Sequence, residues 1–512
     1  MRRFKKEFSE VAIMKCAATG VELKNCLRES ADLIGGMRRY IKPSDTVFIK
    51  PNLTAGMPTE SGGTTDALFT EAVVELVKEA GAARIIVGEC SGNESRSIES
   101  LTNLGYKDMC ERQGVEMADL DYAEFVDVPV DNALYKETLH LPKIFWESDV
   151  FISVPVLKTH ISVGVTVAIK NSFGLIPDQD KLMSHRDQAV EKIIADIASV
   201  KPADLVFVDG RIGAEGIAGG NDFEHPIRSN LIITGNDPVA TDTVATRLMM
   251  QNTRVKHVQW AAEQGAGNDR LDFIIIRGLP IEEAQVRFMS PAEQIMDSSE
   301  GKVKFNELNA CSLCCACVEG PLGRFMKNPA SLLEPVETVT GPGDWDIPER
   351  INPRTFLLGD CVRERYRGLG TFIGGCPVNV GEFMQSLAEM RVVCSQCELA
   401  VQNAIESLKQ NKDDYPDITA ILPDIRILAS NKTVFQGENN RAEMDDFVFA
   451  AGKCLSGYIR NHGRRVHKIS DIDVSEYSVF KNGCPIDEND VIDGLRELID
   501  KMDAMKNKTV CP

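Results

Sequence analysis

A pattern of four cysteines occurs twice between residue 311 and the C-terminus, and it constrains this chain more than any other feature. The first copy runs NACSLC, LLGDC, IGGCPVN and contains Cys311, Cys314, Cys361 and Cys376. The second runs VVCSQC, AAGKC, KNGCPID and contains Cys394, Cys397, Cys454 and Cys484. Each copy offers two thiols one turn apart, a third in a Gly-x-Cys and a fourth in a Gly-Cys-Pro. Four soft thiolates converging from separate loops are what an iron–sulfur cluster or a structural zinc requires. The glycine lets backbone approach a bulky group, and the proline removes a donor and fixes the chain direction. Those features fit a cluster better than a compact zinc knuckle, whose ligands come as two close pairs. In CSLCCAC the pair could instead be Cys314 and Cys317; alignment with CSQC favours Cys311 and Cys314, leaving Cys315 and Cys317 as spare, packing or alternative ligands.

Bulk properties narrow the class. A chain of 512 residues predicts about two to four domains. Against 57 Lys and Arg stand 76 Asp and Glu, a net charge of −19, which argues against nucleic acid as a partner. The basic start, MRRFKKEFSEVAIMKC, lacks the apolar core of a signal peptide, and no apolar run is long enough to span a membrane. The expectation is a soluble, cytoplasmic protein with no membrane partner. Fifteen cysteines in such a chain point to metal ligation more than to disulfides. Cys16, Cys26, Cys90 and Cys110 read as buried small apolar residues; Cys511 has no account.

Residues 10 to 290 alternate short apolar runs with amphipathic stretches. TVFIKPN (46–52), ARIIVGEC (83–90), SDVFISVPV (148–156), ADLVFVDG (203–210), SNLIITG (229–235) and DFIIIRG (272–278) read as strands. TTDALFTEAVVELVKEAG (64–81), with a Thr cap and a Gly stop, and DQAVEKIIADIASV (187–200) read as helices. Such alternation implies an α/β domain with a mostly parallel sheet. The charged stretch near 281–305 reads as a linker, and 329–353 as a long loop. In both cysteine copies a strand-like run precedes the third thiol and a helical pattern follows the fourth (380–390 and 491–502). The parts therefore keep one order, which predicts two small homologous α/β cysteine-rich modules, 301–391 and 392–512, after a ligand-binding domain at 10–290.

Strand C-termini form the ligand crevice of open α/β sheets. Here they would carry KPN (Lys50, Asn52), GEC (Glu89), the loop PVLKTH (Lys158, His160), IKNSFGL (Lys170, Asn171), VDG (Asp209) and GNDPVATD (Asp242). Cationic groups gathered in an acidic protein suggest a site for a small carboxylate or phosphate. Glu89, Asp209 and Asp242 could serve as metal ligands, acid/base groups or partners of those lysines. Asp237 and Thr241 read as a helix cap and its first turn, and His185 as a loop residue. The Gly-rich run 210–220 matches neither phosphate-loop pattern, so no ATP or NAD site is inferred.

Two resemblances add to this. The thiol order Cys-x-x-Cys, Gly-x-Cys, Gly-Cys-Pro is similar to the proximal 4Fe–4S site of hydrogenase small subunits and of the related subunit of NADH:quinone oxidoreductase. The usual second proline after Gly-Cys-Pro is Val378 in one copy and Ile486 in the other, and no nickel motif is present. KPN with a downstream TTD, the GE loop, PVLKTH with IKNSFGL, VDG with its Gly-rich tail, and GNDPVATD together resemble the domain-of-unknown-function family numbered 362, over about residues 10–280. That resemblance implies iron–sulfur modules, which its members commonly carry, and no assigned reaction. EGIAGG stands where relatives tend to have a Gly-Pro, and the cysteines do not form the compact bacterial ferredoxin run.

The expectation from these readings is an iron–sulfur oxidoreductase with two 4Fe–4S clusters, a small anionic substrate and a redox protein partner. Its alternatives are a non-catalytic electron carrier or cluster or metal maturation protein, and a zinc-stabilised ligase or hydrolase.

Overall fold

The computed structural model describes residues 7–91, 96–219, 223–323 and 332–392, and beyond them 396–410, 416, 418, 425–429, 432–436, 447–451, 478–481 and 488–508. In chain order the N-terminal strands are β1 (Ser9–Lys15), β2 (Thr46–Pro51), β3 (Arg84–Glu89), β4 (Glu116–Asp119), the hairpin β5 (Phe125–Pro129) and β6 (Thr138–Pro142), and β7 (Val150–Val154). They continue with β8 (Val156–His160), β9 (Gly164–Thr166), β10 (Leu205–Ala214), β11 (Pro226–Ile227), β12 (Leu231–Gly235) and β13 (Ile274–Gly278). The main sheet runs β13-β1-β12-β10-β7-β2-β3-β4. Its neighbours are parallel except where β12 lies antiparallel between β1 and β10.

Both faces of this sheet are covered, which is why its strands read as continuous apolar runs. Phe48, Ile86, Phe151 and Val208 feed one core together with Ile193, Ile197 and Val244 from helices. Val47, Ile49, Val87, Ile152 and Phe207 feed the opposite core with Leu23, Leu27, Val73 and Val77. The helix Ala67–Ala80 is capped by Asp66, which accepts from the Leu68 amide, rather than by the expected threonine; Gly81 ends it in the left-handed region.

Beyond β13, β14 (Val303–Glu307), β15 (Val336–Thr340), β16 (Thr355–Leu358) and β17 (Thr371–Ile373) form an all-parallel sheet in that order. The helices Ser312–Gly323 and Val380–Glu389 pack on it through Val318, Leu322, Phe383 and Leu387. A third sheet has the order β19-β18-β20-β21, from β18 (Ile425–Ala429), β19 (Lys432–Gln436), β20 (Phe447–Ala451) and β21 (Ser478–Lys481). In both small sheets a Cys-x-x-Cys helix is followed by three mutually parallel strands (β15-β16-β17 and β18-β20-β21) and a closing helix. They differ at the fourth strand, which is parallel β14 in one and antiparallel β19 in the other.

Several expectations are corrected. The stretch 281–305 is not a linker: it holds the helices Ile281–Ala284 and Pro291–Ser298 and the start of β14. Ser290 and Glu293 form a reciprocal capping box there. The stretch 329–353 contains β15. PVLKTH is not a loop but mostly strand β8, paired in parallel with β10 and in a hairpin with β9. His185 lies in the helix Asp178–Arg186, whose polar sequence hides its period.

Candidate functional site

The C-terminal ends of β2 and β3 place Lys50 and Glu89 side by side. The Lys50 ammonium donates to Glu89 Oε1 at 2.5 Å, to the Pro51 carbonyl at 3.1 Å and to Asn171 Oδ1 at 3.3 Å. Glu89 Oε2 accepts from the Leu53 amide at 3.0 Å, and Asn171 Nδ2 donates to the Lys50 carbonyl and Ser153 Oγ, both at 3.0 Å. Burial pushes the Lys50 ammonium below its ordinary value, and Glu89 opposes that shift. Gly174 closes over the pair, since a Cβ there would lie 2.8 Å from both Glu89 Oε1 and Lys50 Nζ.

Lys158 is as deeply buried as Lys50 but has no carboxylate partner among the described residues. Its Nζ donates to the Gly63 carbonyl at 3.1 Å, reaches Thr54 Oγ1 at 3.5 Å and lies 4.9 Å from the Phe223 ring centroid. Beside it in the β8–β9 register is Thr166, whose buried hydroxyl has no hydrogen-bond partner among the described residues. Lys170 is half-buried, with its ammonium 4.2 Å from the Phe173 ring centroid. Burial pushes Lys158 down to about 7, and the Lys170 charge adds to that effect. Lys170 is likewise pushed down to about 7 by its surroundings, then by Lys181 and Lys50. His160 Nδ1 accepts from the Ser162 amide at 3.0 Å, so a neutral ring carries its proton on Nε2. Burial, with the Lys170 and Lys158 charges, holds the ring well below its usual value.

Three other expected residues are engaged within the protein. Asn52 holds the loop before the helix Ala67–Ala80, donating to the Gly63 carbonyl and accepting from Thr54. Asp209 is bound by Arg211, which also reaches Asp66. Asp242 accepts from the amides of Ala168 and Ile169 at 2.7 and 3.1 Å, fixing the short helix that presents Lys170 and Asn171. Its burial raises its carboxyl to about 7 against those two hydrogen bonds. Asp237 caps the helix Pro238–Leu248 and Thr241 lies in its first turn, as expected.

No motif marked Lys181, whose buried ammonium meets Cys90 Sγ at 2.7 Å and Asp178 at 3.1 Å. Cys90 was expected only to pack, yet it also contacts Asp121 at 3.2 Å. Cys16 and Cys110 are buried as expected, while Cys26 is half-buried.

In the first cysteine copy the four thiol-bearing segments meet at one end of the β14–β17 sheet. Cys311 and Cys314 hydrogen-bond to each other at the start of the helix Ser312–Gly323, and the Val378 amide donates to Cys314. Gly359 lies against Cys314: a Cβ on it would be 3.8 Å from the sulfur. The third and fourth segments are tied by the amides of Gly359 to the Ile373 carbonyl at 2.9 Å and of Asp360 to the Gly375 carbonyl at 3.2 Å. Cys361 and Cys376 are exposed, Cys311 is half-buried and Cys314 buried. The Cys314 hydrogen bond lowers the Cys311 thiol to about 6, aided by the charges of Lys256 and Arg254. Cys317 sits in the apolar core of this sheet and Cys315 faces Glu307. This is a donor set of soft sulfurs with amides aimed at it; no three of the four sulfurs lie within 4.8 Å of one another, so the set is not closed around a single ion and suits the wider span of a cluster. In the second copy Cys394, Cys454 and Cys484 lie outside the described residues, and Cys397 is described only as backbone of the helix Gln396–Gln410.

The thiol site abuts the N-terminal domain. Ser312, between Cys311 and Cys314, donates to Glu191 at 2.7 Å, and the same carboxylate meets His257 Nδ1 at 2.9 Å. Among the described residues, no helix is long and apolar enough to cross a membrane.

Comparison with known proteins bears on the N-terminal part. The Thylakoid-associated protein sll1697 of Synechocystis sp. is 26% identical over 228 residues, which are 44% of this chain and 68% of that protein. The solved lactate racemase apoprotein of Thermoanaerobacterium thermosaccharolyticum aligns with a TM-score of 0.29 and 9% identity, over 41% of this chain and 51% of that one. The chain thus spans about half the length of that protein, and so remote a likeness carries no argument about chemistry. Residues 47–247, which include Lys50, Glu89, Lys158, Lys170, Asp209 and Asp242, match the family described as Domain of unknown function (DUF362).

Proposed function

We propose that this chain is an iron–sulfur oxidoreductase whose N-terminal domain binds a small anionic substrate. Two 4Fe–4S clusters would relay electrons, one held by Cys311, Cys314, Cys361 and Cys376, the other by Cys394, Cys397, Cys454 and Cys484. The observation that carries the reading is the meeting of four thiol segments at one end of a parallel sheet, docked through Ser312 on the domain with the cationic crevice. Lys158 and Lys170 support an anion: two neighbouring ammoniums, one buried and one half-buried, with no carboxylate partner among the described residues are stabilised by a bound carboxylate or phosphate. His160 would add a neutral Nε2–H donor. The shared order of helix and three parallel strands supports reading the two modules as copies. The proposal includes a cytoplasmic location and a redox protein partner.

The test is iron and acid-labile sulfide per chain after anaerobic purification, with reduction by dithionite followed spectroscopically. About eight of each, falling by about half in Cys376→Ser and in Cys484→Ser, is expected. Zinc without sulfide, or a cluster that no low-potential donor reduces, sinks the redox reading. The exposure of Cys361 and Cys376 favours a second reading, cluster delivery to another protein. Loss of the cluster to an apo acceptor faster than to a chelator would select it.

A further inference from the structure

The helix Ser312–Gly323 carries a second donor set that the cysteine quartet does not use. Cys315 and Glu319 stand four residues apart and share one helical face. Below them, at the end of β14, is Glu307. The sulfur and one carboxylate oxygen from each glutamate all lie within 4.8 Å of one another. Cys315 is 4% exposed and Glu319 3%. A thiol and a carboxylate at that depth, beside the half-buried Glu307, are costly unless a cation or hydrogen bonds offset them. Glu319 and Cys315 each hydrogen-bond to Glu307, but among the described residues no lysine, arginine or histidine forms an ion pair with Glu307 or Glu319; the nearby Lys304 pairs with Glu337 on the other face of the sheet.

An independent observation points to a missing occupant. Thr340 is the register partner of Glu307, and Thr338 that of Phe305. Val303, Phe305 and Val336 of that same face pack with Cys314 and Val318 of the helix, so both threonines point toward it. Each threonine is 1% exposed. Among the described residues their hydroxyls and Glu307 Oε1 all lack a hydrogen-bond partner. Buried polar atoms are nearly always satisfied, and here three unsatisfied ones lie on the face of the sheet that carries a donor set with no basic partner among the described residues.

We propose that Glu307, Cys315 and Glu319 form a binding site for a divalent cation of the zinc class. One thiolate with two carboxylates suits zinc and its first-row neighbours, whereas calcium and magnesium take oxygen ligands alone. Bonds of about 2.0–2.3 Å around a tetrahedral ion bring ligand atoms to roughly 3.5 Å from one another, so the existing spread closes with small side-chain rotations. Three protein ligands leave a fourth position for water, for which the unpartnered Thr340 hydroxyl, in register with Glu307, is a candidate hydrogen-bond partner. The ion would pin the helix that bears Cys311 and Cys314 to the β14–β15 edge. The site stands whether or not the quartet holds iron.

The experiment is an anaerobic Co2+ titration of chelator-treated full-length protein, read by the thiolate-to-cobalt band in the near ultraviolet, with iron content followed in parallel. Cys315→Ser is expected to remove about one cobalt equivalent and its share of the band relative to wild type. Glu319→Gln should weaken that equivalent at least about tenfold, and Glu307→Gln, at the less buried position, serves if either of the others misfolds. Cys361→Ser should leave that equivalent in place. Wild-type cobalt binding in Cys315→Ser and Glu319→Gln, or loss of the same equivalent in Cys361→Ser, overturns the proposal.

Discussion

The N-terminal crevice and the pocket under the helix Ser312–Gly323 are opposites. The crevice buries positive charge with too few carboxylates; the pocket gathers two carboxylates and a thiol with no basic partner among the described residues. Within the crevice the contrast recurs in two lysines, each 1% exposed. Lys50 has Glu89 at 2.5 Å, whereas Lys158 has a carbonyl, a distant hydroxyl and a ring. A buried charge that already has its counter-charge is structural. One that lacks it marks where a ligand of the opposite sign is required, and the sign of the shortfall gives the class of ligand.

The largest expected effect separates those two lysines. Lys50→Ala strands Glu89 in the interior and should cost about 3–5 kcal/mol in denaturant unfolding. Lys158→Met strands no carboxylate, so it should leave stability unchanged or raise it. Equal destabilisation by both would erase the contrast. Lys158→Met should instead weaken phosphate or dicarboxylate binding at least about tenfold, the value of one charge-assisted hydrogen bond, by calorimetry. Unchanged affinity would move the anion away from β8.

The pH dependence sharpens the same comparison. Lys158 is pushed down to about 7 when folded, against about 10.4 unfolded, so between those values the unfolded chain binds more protons. The destabilisation from burying this ammonium is therefore complete below about pH 7 and fades as pH rises toward about 10. Anion binding needs the charged form and should run the other way, weakening up to about tenfold per unit above pH 7. Phosphate affinity and unfolding midpoint, measured over that range in wild type and Lys158→Met, check both slopes; both should be shallower in Lys158→Met, where Lys170 still titrates at about 7. The smallest effect lies away from either site. Ser290→Ala removes a helix cap and should cost about 1 kcal/mol in thermal unfolding, with cobalt and phosphate binding unaltered.

Much of the fold was legible. The apolar runs at 46–52, 83–90 and 148–156 became adjacent parallel strands because strands covered on both faces need apolar residues at every position. The antiparallel course of β12 was not legible, since strand direction leaves no mark on composition. PVLKTH looked like a loop because β8 begins two residues after β7, at Val156, and its pairing with β9 is set by a turn farther on. The helix Asp178–Arg186 was missed because its buried residues, Asp180, Lys181 and Ser184, are polar and only tertiary partners justify burying them.

The candidate site divides in the same way. Sequence order supplied the lysines, the carboxylates and the four thiol segments, because each sits in a short motif at a strand end. What sequence alone determined was the inventory and the class: a mostly parallel α/β domain, small cysteine-bearing sheets after it, and the residue types available for anions and metals. Tertiary structure decided the assignments. It gave Glu89 to Lys50 and Asp209 to Arg211, used Asp242 to hold a helix, and left Lys158 without a carboxylate partner among the described residues. It also separated Cys315 from Cys314 and Cys317, because neighbours on a helix point about 100° apart and only the packed sheet fixes which face meets Glu307 and which meets the core. Charge pairing and burial depend on groups distant in sequence, and their energy exists only once the chain has brought them together.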